Sequence, residues 1–206
     1  MRFFSASNRV RTPEAAAPMN ERCPWCLATP QYIAYHDEEW GRPCFDEQRL
    51  FEKFMLETAQ AGLSWRTILE KREGYRTVFD GFDAPRIAAY TDAELEQKLQ
   101  DPRIVRNRLK VFAFRRNAQA YLKLCAEHGG FRPWLWRWVD GQPIVNHPAT
   151  PKEVPVTTPL SDAISRALKQ QGFTFVGSVM VYAWLQSMGV VNDHLAHCDW
   201  RDAASR

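Results

Sequence analysis

No stretch of this 206-residue chain approaches the run of about 20 apolar residues that a membrane-crossing helix requires. There is no secretory h-region either, so the sequence offers nothing for a membrane partner. Cysteine is sparse and odd in number, at five, which does not build a disulfide framework and points to thiols kept reduced in the cytoplasm. Neither sign of charge dominates: the net charge of +3 permits a polyanionic partner without demanding one. Convincing strand alternation is missing throughout, which leaves helix as the main element and predicts an all-α fold. Tryptophan, by contrast, is plentiful at eight residues, a composition suited to a site that stacks flat rings, although cores also consume indoles.

Residues 1–20 carry Arg2, Arg9, Arg11, Pro13 and Pro18 with little periodic apolar content, and a disordered tail is expected there. Residues 21–200 are expected to form one all-helical domain of two lobes around a pocket. From Cys23 to Phe45 the chain is dense in aromatic and titratable groups and reads as a connecting segment. Asp46 opens a helix to Ala61, and a second runs from Trp65 towards Phe79. Thr91 with Glu94 forms a capping box, and a long amphipathic helix covers Arg103 to His128 with Arg106, Arg108, Lys110, Arg115 and Arg116 largely outside. The stretch from Gln142 to Thr158, with Pro143, Pro148, Pro151 and Pro155, reads as an ordered loop between the two halves.

Leu50, Phe51, Phe54, Met55 and Leu56 recur at helical spacing and put Glu57 on the core side of its helix, an expensive place for a carboxylate. Gly62 suits the left-handed residue that ends that helix. Ser64 suits the N-cap of the next, which sets Trp65 at its first position, facing the same corner. One acid and one indole then share a pocket corner; the plainer reading is a helix-loop-helix with a satisfied, partly buried Glu.

Between Leu168 and Ser178 a tight turn with Gly172 and Gly177 at its ends joins two helices, the shape of a helix-hairpin-helix. Such a turn and the following helix N-terminus offer backbone N–H groups to one DNA phosphate, with Thr174 and Ser178 nearby. An ordinary helical hairpin has the same pattern.

Cys23 and His36 near the start and His194 and Cys198 near the end form a possible tetrahedral metal set, the last two sharing a face if their stretch is helical. Cys26 competes with Cys23, because Cys-Pro-Trp-Cys can also form a two-thiol knuckle or a redox pair.

Glu-Arg-Cys at 21–23, Tyr-Ile-Ala-Tyr-His-Asp-Glu-Glu-Trp-Gly at 32–41, Gln-Ala-Gly-Leu-Ser-Trp at 60–65 and Val-Asn-Asp-His at 191–194 together closely resemble the 3-methyladenine DNA glycosylase I family. The likeness spans about residues 20–198. It implies an all-α helix-hairpin-helix glycosylase fold whose N- and C-terminal segments are joined by a zinc clasp of Cys23, His36, His194 and Cys198. It also implies a monofunctional enzyme of base excision repair, a hydrolase that frees N3-methyladenine from alkylated double-stranded DNA, working as a cytoplasmic, nucleoid-associated monomer. Carried over by position, Glu57 matches the acid that bonds the extruded base, Tyr35 a second base contact, Trp65 the stacking indole, and Trp25 and Tyr32 aromatics of the same pocket. Thr58 departs from the Gly common beside the acid and puts the substrate range in question. Asp193, beside His194, is expected to orient the metal shell rather than to act in catalysis. No Lys follows Gly177, so no lyase step through a Schiff base is expected. Two other classes fit parts of the pattern: a non-catalytic zinc-stapled module that binds DNA or a damaged base, and a zinc-stapled helical interaction protein.

Overall fold

The computed structural model describes residues 21–204, so the N-terminal stretch expected to be a tail lies outside the described residues. Eleven α-helices and one two-residue parallel ladder carry the architecture of the described chain. The helix α2, Glu47–Gln60, forms the axis of the fold. Every residue from Leu50 to Ala59 is buried, polar ones included, as expected of a helix enclosed on all sides. It starts where Asp46 Oδ1 accepts the N–H of Arg49 at 2.8 Å, an ordinary N-cap.

Both ends of α2 are fastened by other parts of the chain. Glu47 accepts the backbone N–H groups of Phe131 and Arg132, each at 3.0 Å, and so caps α8, Phe131–Trp136. At the other end Lys110, on α7 (Arg108–His128), donates to the carbonyls of Ala59 and Ala61 at 2.7 Å. The helical period alone places Lys110 largely outside; its ammonium is instead turned inward to hold the end of α2, with only 8% of the residue exposed. The helix α7 begins at Arg108, capped by Asn107, rather than at Arg103.

Other departures are local. The expected long second helix breaks at Lys71 into α3, Trp65–Glu70, and α4, Arg72–Val78. The aromatic stretch near the start contains a nine-residue helix, α1, Pro30–Glu38, capped by Thr29. Its core-facing Tyr35 and His36 are titratable or polar, and this conceals the apolar stripe. The helices α5 (Ala84–Ala88) and α6 (Asp92–Leu99, with the expected capping box) pack on α7.

The proline-bearing loop contributes β1, Ile144–Val145, which pairs in parallel with β2, Val191–Asn192, in the register Ile144 to Val191. This ladder is too short to show as alternation. It nevertheless brings the loop against the C-terminal segment, where Ala196 N–H donates to the Pro148 carbonyl at 2.8 Å.

The helices α9, Pro159–Gln170, and α10, Ser178–Ser187, form the expected hairpin. Its turn is held by Asn117 of α7, whose Oδ1 accepts the Thr174 N–H at 2.8 Å, and by Ser165, whose hydroxyl donates to the Val176 carbonyl at 2.6 Å. A large apolar cluster surrounds α2, and a smaller one gathers Cys23, Tyr35, Trp40, Leu69, Leu195 and Cys198. Trp65 packs against both.

Candidate active site and metal centre

Where the two clusters meet, a cavity of about 320 Å³ opens, large enough for a purine. Glu57 and Trp65 form one corner of it, as the sequence predicts: Gly62 takes the left-handed conformation at φ +77°, and Ser64 caps α3 by accepting the Thr67 N–H at 3.3 Å. Trp25, Tyr32 and Tyr35 also line it. The rings pack edge to face, with centroids 5.0 Å apart for Trp25 and Tyr32 and 4.9 Å for Trp25 and Trp40; Tyr35 and Trp65 lie 5.3 Å apart. Pro151 and Val154 of the proline-bearing loop supply another wall, together with Gln186 of α10.

Two buried polar atoms of this corner lack a protein partner, the Oε2 of Glu57 and the indole N–H of Trp65. Native interiors pair such atoms, so an acceptor and a donor left open beside one cavity suit a ligand that brings both complements. Burial, opposed only by Lys53 and by the polar hydroxyl of Ser187, pushes the Glu57 carboxyl from 4.5 up to about 8. At neutral pH it is therefore mostly protonated while the cavity holds no positive charge, a condition that the pattern of apolar neighbours does not reveal.

Thr58 turns away from the cavity. Its hydroxyl donates to the Met55 carbonyl at 2.7 Å within its own helix, so the branched side chain narrows nothing. Asp193 does line the cavity, but its oxygens accept from Tyr182 at 2.6 Å and from Gln186 and Asn146 at 2.7 Å. None of these is a ligand candidate, so Asp193 braces α10 and the proline-bearing loop rather than the metal shell.

On the far side of this wall the donor atoms of Cys23, His36, His194 and Cys198 all lie within 4.8 Å of one another, and all four residues are buried. Cys198 Sγ is 3.3 Å from His194 Nδ1 and 3.5 Å from His36 Nε2, and Cys23 Sγ is 3.8 Å from His194 Nδ1. A tetrahedral ion with thiolate and imidazole bonds holds neighbouring ligand atoms about 3.3–3.8 Å apart, which is this spacing.

The imidazoles are set for the purpose. His36 Nδ1 faces Asp37 at 2.7 Å and His194 Nε2 faces the Trp40 carbonyl at 3.2 Å, so each ring can donate outward and leave its inner nitrogen bare. Hydrogen bonding from Cys23, opposed by burial and assisted by both imidazoles, drives Cys198 far toward the thiolate. The four residues fit a metal ion. Cys26 is excluded, because its thiol donates to the Cys23 carbonyl at 3.1 Å and burial pushes it up to about 11.

The segment after β2 that carries His194 and Cys198 is not helical, so the condition for a shared helix face is not met. A turn closed by Cys198 N–H to the Leu195 carbonyl at 2.8 Å brings them together instead.

The methyladenine glycosylase family pattern matches residues 25–202. The chain belongs to that family. A DNA-3-methyladenine glycosylase of Haemophilus influenzae is 47% identical over 182 residues, spanning 87% of this chain and 97% of that one. A crystal structure of a 3-methyladenine DNA glycosylase I superposes with a TM-score of 0.85 at 46% identity, over 87% of this chain and 98% of the other. A variant of a 3-methyladenine DNA glycosylase I in complex with 3-methyladenine superposes with a TM-score of 0.85 at 34% identity, over 87% and 97%.

Within this methyladenine glycosylase the hairpin turn is more committed than its sequence suggests. The Gly172 N–H donates to the Lys169 carbonyl at 3.0 Å, Thr174 is taken by Asn117, and the Ser178 hydroxyl pairs with Ser161 at 2.7 Å. Gly177 is the N-cap of α10, at φ −64°, with open space where a side chain would project.

Two contributors to these sites are not evident from the sequence. Gly41, at φ +73°, passes so close to His194 that a Cβ would sit 2.9 Å from the ring, a fit that only tertiary packing reveals. The other is Lys53, whose one visible signal is a cation in an otherwise apolar helix face four residues before Glu57.

Proposed function

We propose that this chain is a monofunctional DNA glycosylase that hydrolyses the N-glycosidic bond of N3-methyladenine in alkylated double-stranded DNA. The observation that carries the reading is the buried carboxyl of Glu57, its Oε2 left without a protein partner, in an aromatic cavity of purine size within a chain of the methyladenine glycosylase family.

An adenine methylated at N3 and still joined to deoxyribose is cationic. Extruded into the cavity, it meets the π faces of Tyr35, Trp65, Trp25 and Tyr32, and it supplies the positive charge that draws the proton off Glu57. Neutral adenine supplies none, and Glu57 then stays protonated. Recognition of charge and ionisation of the acid are therefore one event.

When the bond between C1′ and N9 breaks, its electron pair leaves with the base and cancels the base's charge. Water adds to C1′ and gives up a proton. The leaving group is already good, so extrusion, desolvation and the induced Glu57 carboxylate supply the help that is needed, and no covalent lysine step is involved.

Zinc is the ion suited to two thiolates and two imidazoles, held by Cys23, His36, His194 and Cys198. Its role would be structural: Cys23, held as a ligand, and Leu195, whose N–H donates to the Cys23 sulfur at 3.4 Å, both line the base cavity. The N-terminus of α10 at Gly177 and Ser178 takes a DNA phosphate, with Gly172 and Thr174 shaping the turn. The protein works on chromosomal DNA as a monomer in the cytoplasm.

Incubating the protein with methylated duplex DNA and separating the released bases tests this directly. Free 3-methyladenine with unbroken strands is the expected product. DNA binding without base release would make the chain a binding module.

A further inference from the structure

Lys53 is as buried as Glu57, with 3% of each residue exposed, and the two are neighbours at i and i+4 on α2. Lys53 does not line the base cavity; it lines adjoining clefts with Glu39 and Arg49. From that side its ammonium reaches the cavity's rings, lying 4.2 Å from the centroid of Tyr35 and 5.5 Å from that of Trp65.

Its counter-ion is already shared. Glu39 sits 2.7 Å from Lys53 Nζ and also takes two contacts from Arg72 Nη1, at 2.8 and 2.9 Å. Two buried or half-buried cations thus face one anion, and the excess positive charge is balanced when Glu57 ionises.

We infer that Lys53 is a positioning residue of the base pocket: its ammonium, one turn before Glu57 and behind Tyr35 and Trp65, favours the carboxylate form of the recognition acid. The inference rests on the reading of the cavity as the site of a cationic base.

The other groups facing Glu57 do not supply this charge. Tyr35 and Tyr32 of α1 are pushed up, first by burial, and stay neutral phenols. Ser187 of α10 offers only a hydroxyl. Asp193 is occupied by three donors, and Cys23 belongs to the metal set. Lys53 itself is drawn down to about 8, by burial first, so it carries its charge at neutral pH and below. A lysine kept only to satisfy Glu39 would leave the behaviour of Glu57 unchanged when replaced.

The test compares wild type, K53M and K53R, with E57Q as reference, in two readings. The first is the pH profile of kcat/KM for 3-methyladenine release from methylated duplex DNA, whose ascending limb reports groups of the free enzyme. The second is the titration of the Glu57 carboxyl by ¹³C NMR of the protein alone, taken as the difference from E57Q.

In K53M both midpoints should move to higher pH by roughly one unit or more, the scale on which a nearby opposite charge acts on a carboxyl. K53R should stay near wild type, and E57Q should lose the ascending limb. K53Q, which keeps a polar head for Glu39, replaces K53M if that variant does not fold. Coincident Glu57 titrations in wild type and K53M overturn the role of Lys53. A shifted titration in a protein that releases no base upholds it and overturns the substrate reading alone.

Discussion

Cys198 Sγ lies 3.5 Å from His36 Nε2 although 162 positions separate the two residues in the chain. The contact closes nearly the whole described chain on itself, and Glu21 reinforces it by exchanging hydrogen bonds with Asp199, N–H to carboxylate at 2.9 Å and carbonyl from N–H at 3.1 Å. A metal held there is worth folding energy, because the unfolded chain has no such site. The protein should carry one zinc per chain. Cys198→Ala should lose it and melt lower, by roughly 2–4 °C for each kcal/mol of stability lost in a chain of this size. Elemental analysis and a thermal melt decide the matter, and full zinc retention by Cys198→Ala would remove the clasp.

Gly41→Ala should behave as a weak copy of that variant. The new methyl group meets the His194 ring and the residue must hold a left-handed conformation, which alone costs about 1–2 kcal/mol for a side chain. Reduced zinc content with helix content preserved by circular dichroism is the expected result. Unchanged metal content would mean that His194 is not a ligand.

Glu57→Gln should reduce release of 3-methyladenine about ten- to a hundredfold, the equivalent of a charge-assisted hydrogen bond of about 1.5–3 kcal/mol. The same change should alter stability in a defined pH window. Glu57 titrates at about 8 in the folded protein against an ordinary value of 4.5, so the folded state holds a proton that the unfolded state releases between those values. Stability from this group is fully present below pH 4.5 and is lost as pH rises toward 8, at up to roughly 1.4 kcal/mol per unit. Glu57→Gln escapes the loss, so its melting temperature should gain on that of wild type between about pH 5 and pH 8. Parallel melting curves across that range would show that Glu57 is ionised in the empty pocket.

Gly177→Asp separates folding from DNA binding. The position is at φ −64° with no atom near the added Cβ, and Asp is a favoured N-cap, so the melting temperature should hold or rise. Affinity for duplex DNA should fall alike for all sequences, because the lost contact is to phosphate. Unaltered affinity would move the phosphate site away from α10.

Much of the scaffold can be read from the sequence because it rests on local rules. Asp46, Ser64 and Thr91 cap helices where their residue types and the following apolar periods require it, and Gly62 and Gly172 adopt the left-handed conformations their positions suggest. The corner of Glu57 and Trp65 is legible for the same reason: helix periodicity places one and a cap places the other.

Only tertiary structure decided what depends on groups distant in sequence. Cys23 prevails over Cys26 because Cys26 donates to a neighbouring carbonyl while Cys23 meets His194 across 171 positions. The proline-bearing loop becomes a cavity wall through a two-residue ladder too short to leave a pattern. The ionisation state of Glu57 follows from burial and from Lys53 of α2 and Ser187 of α10 converging on it. A sequence records which side chains are present and the period at which they recur, but the field at one carboxyl is a sum over neighbours that the folded chain alone brings within a few ångströms.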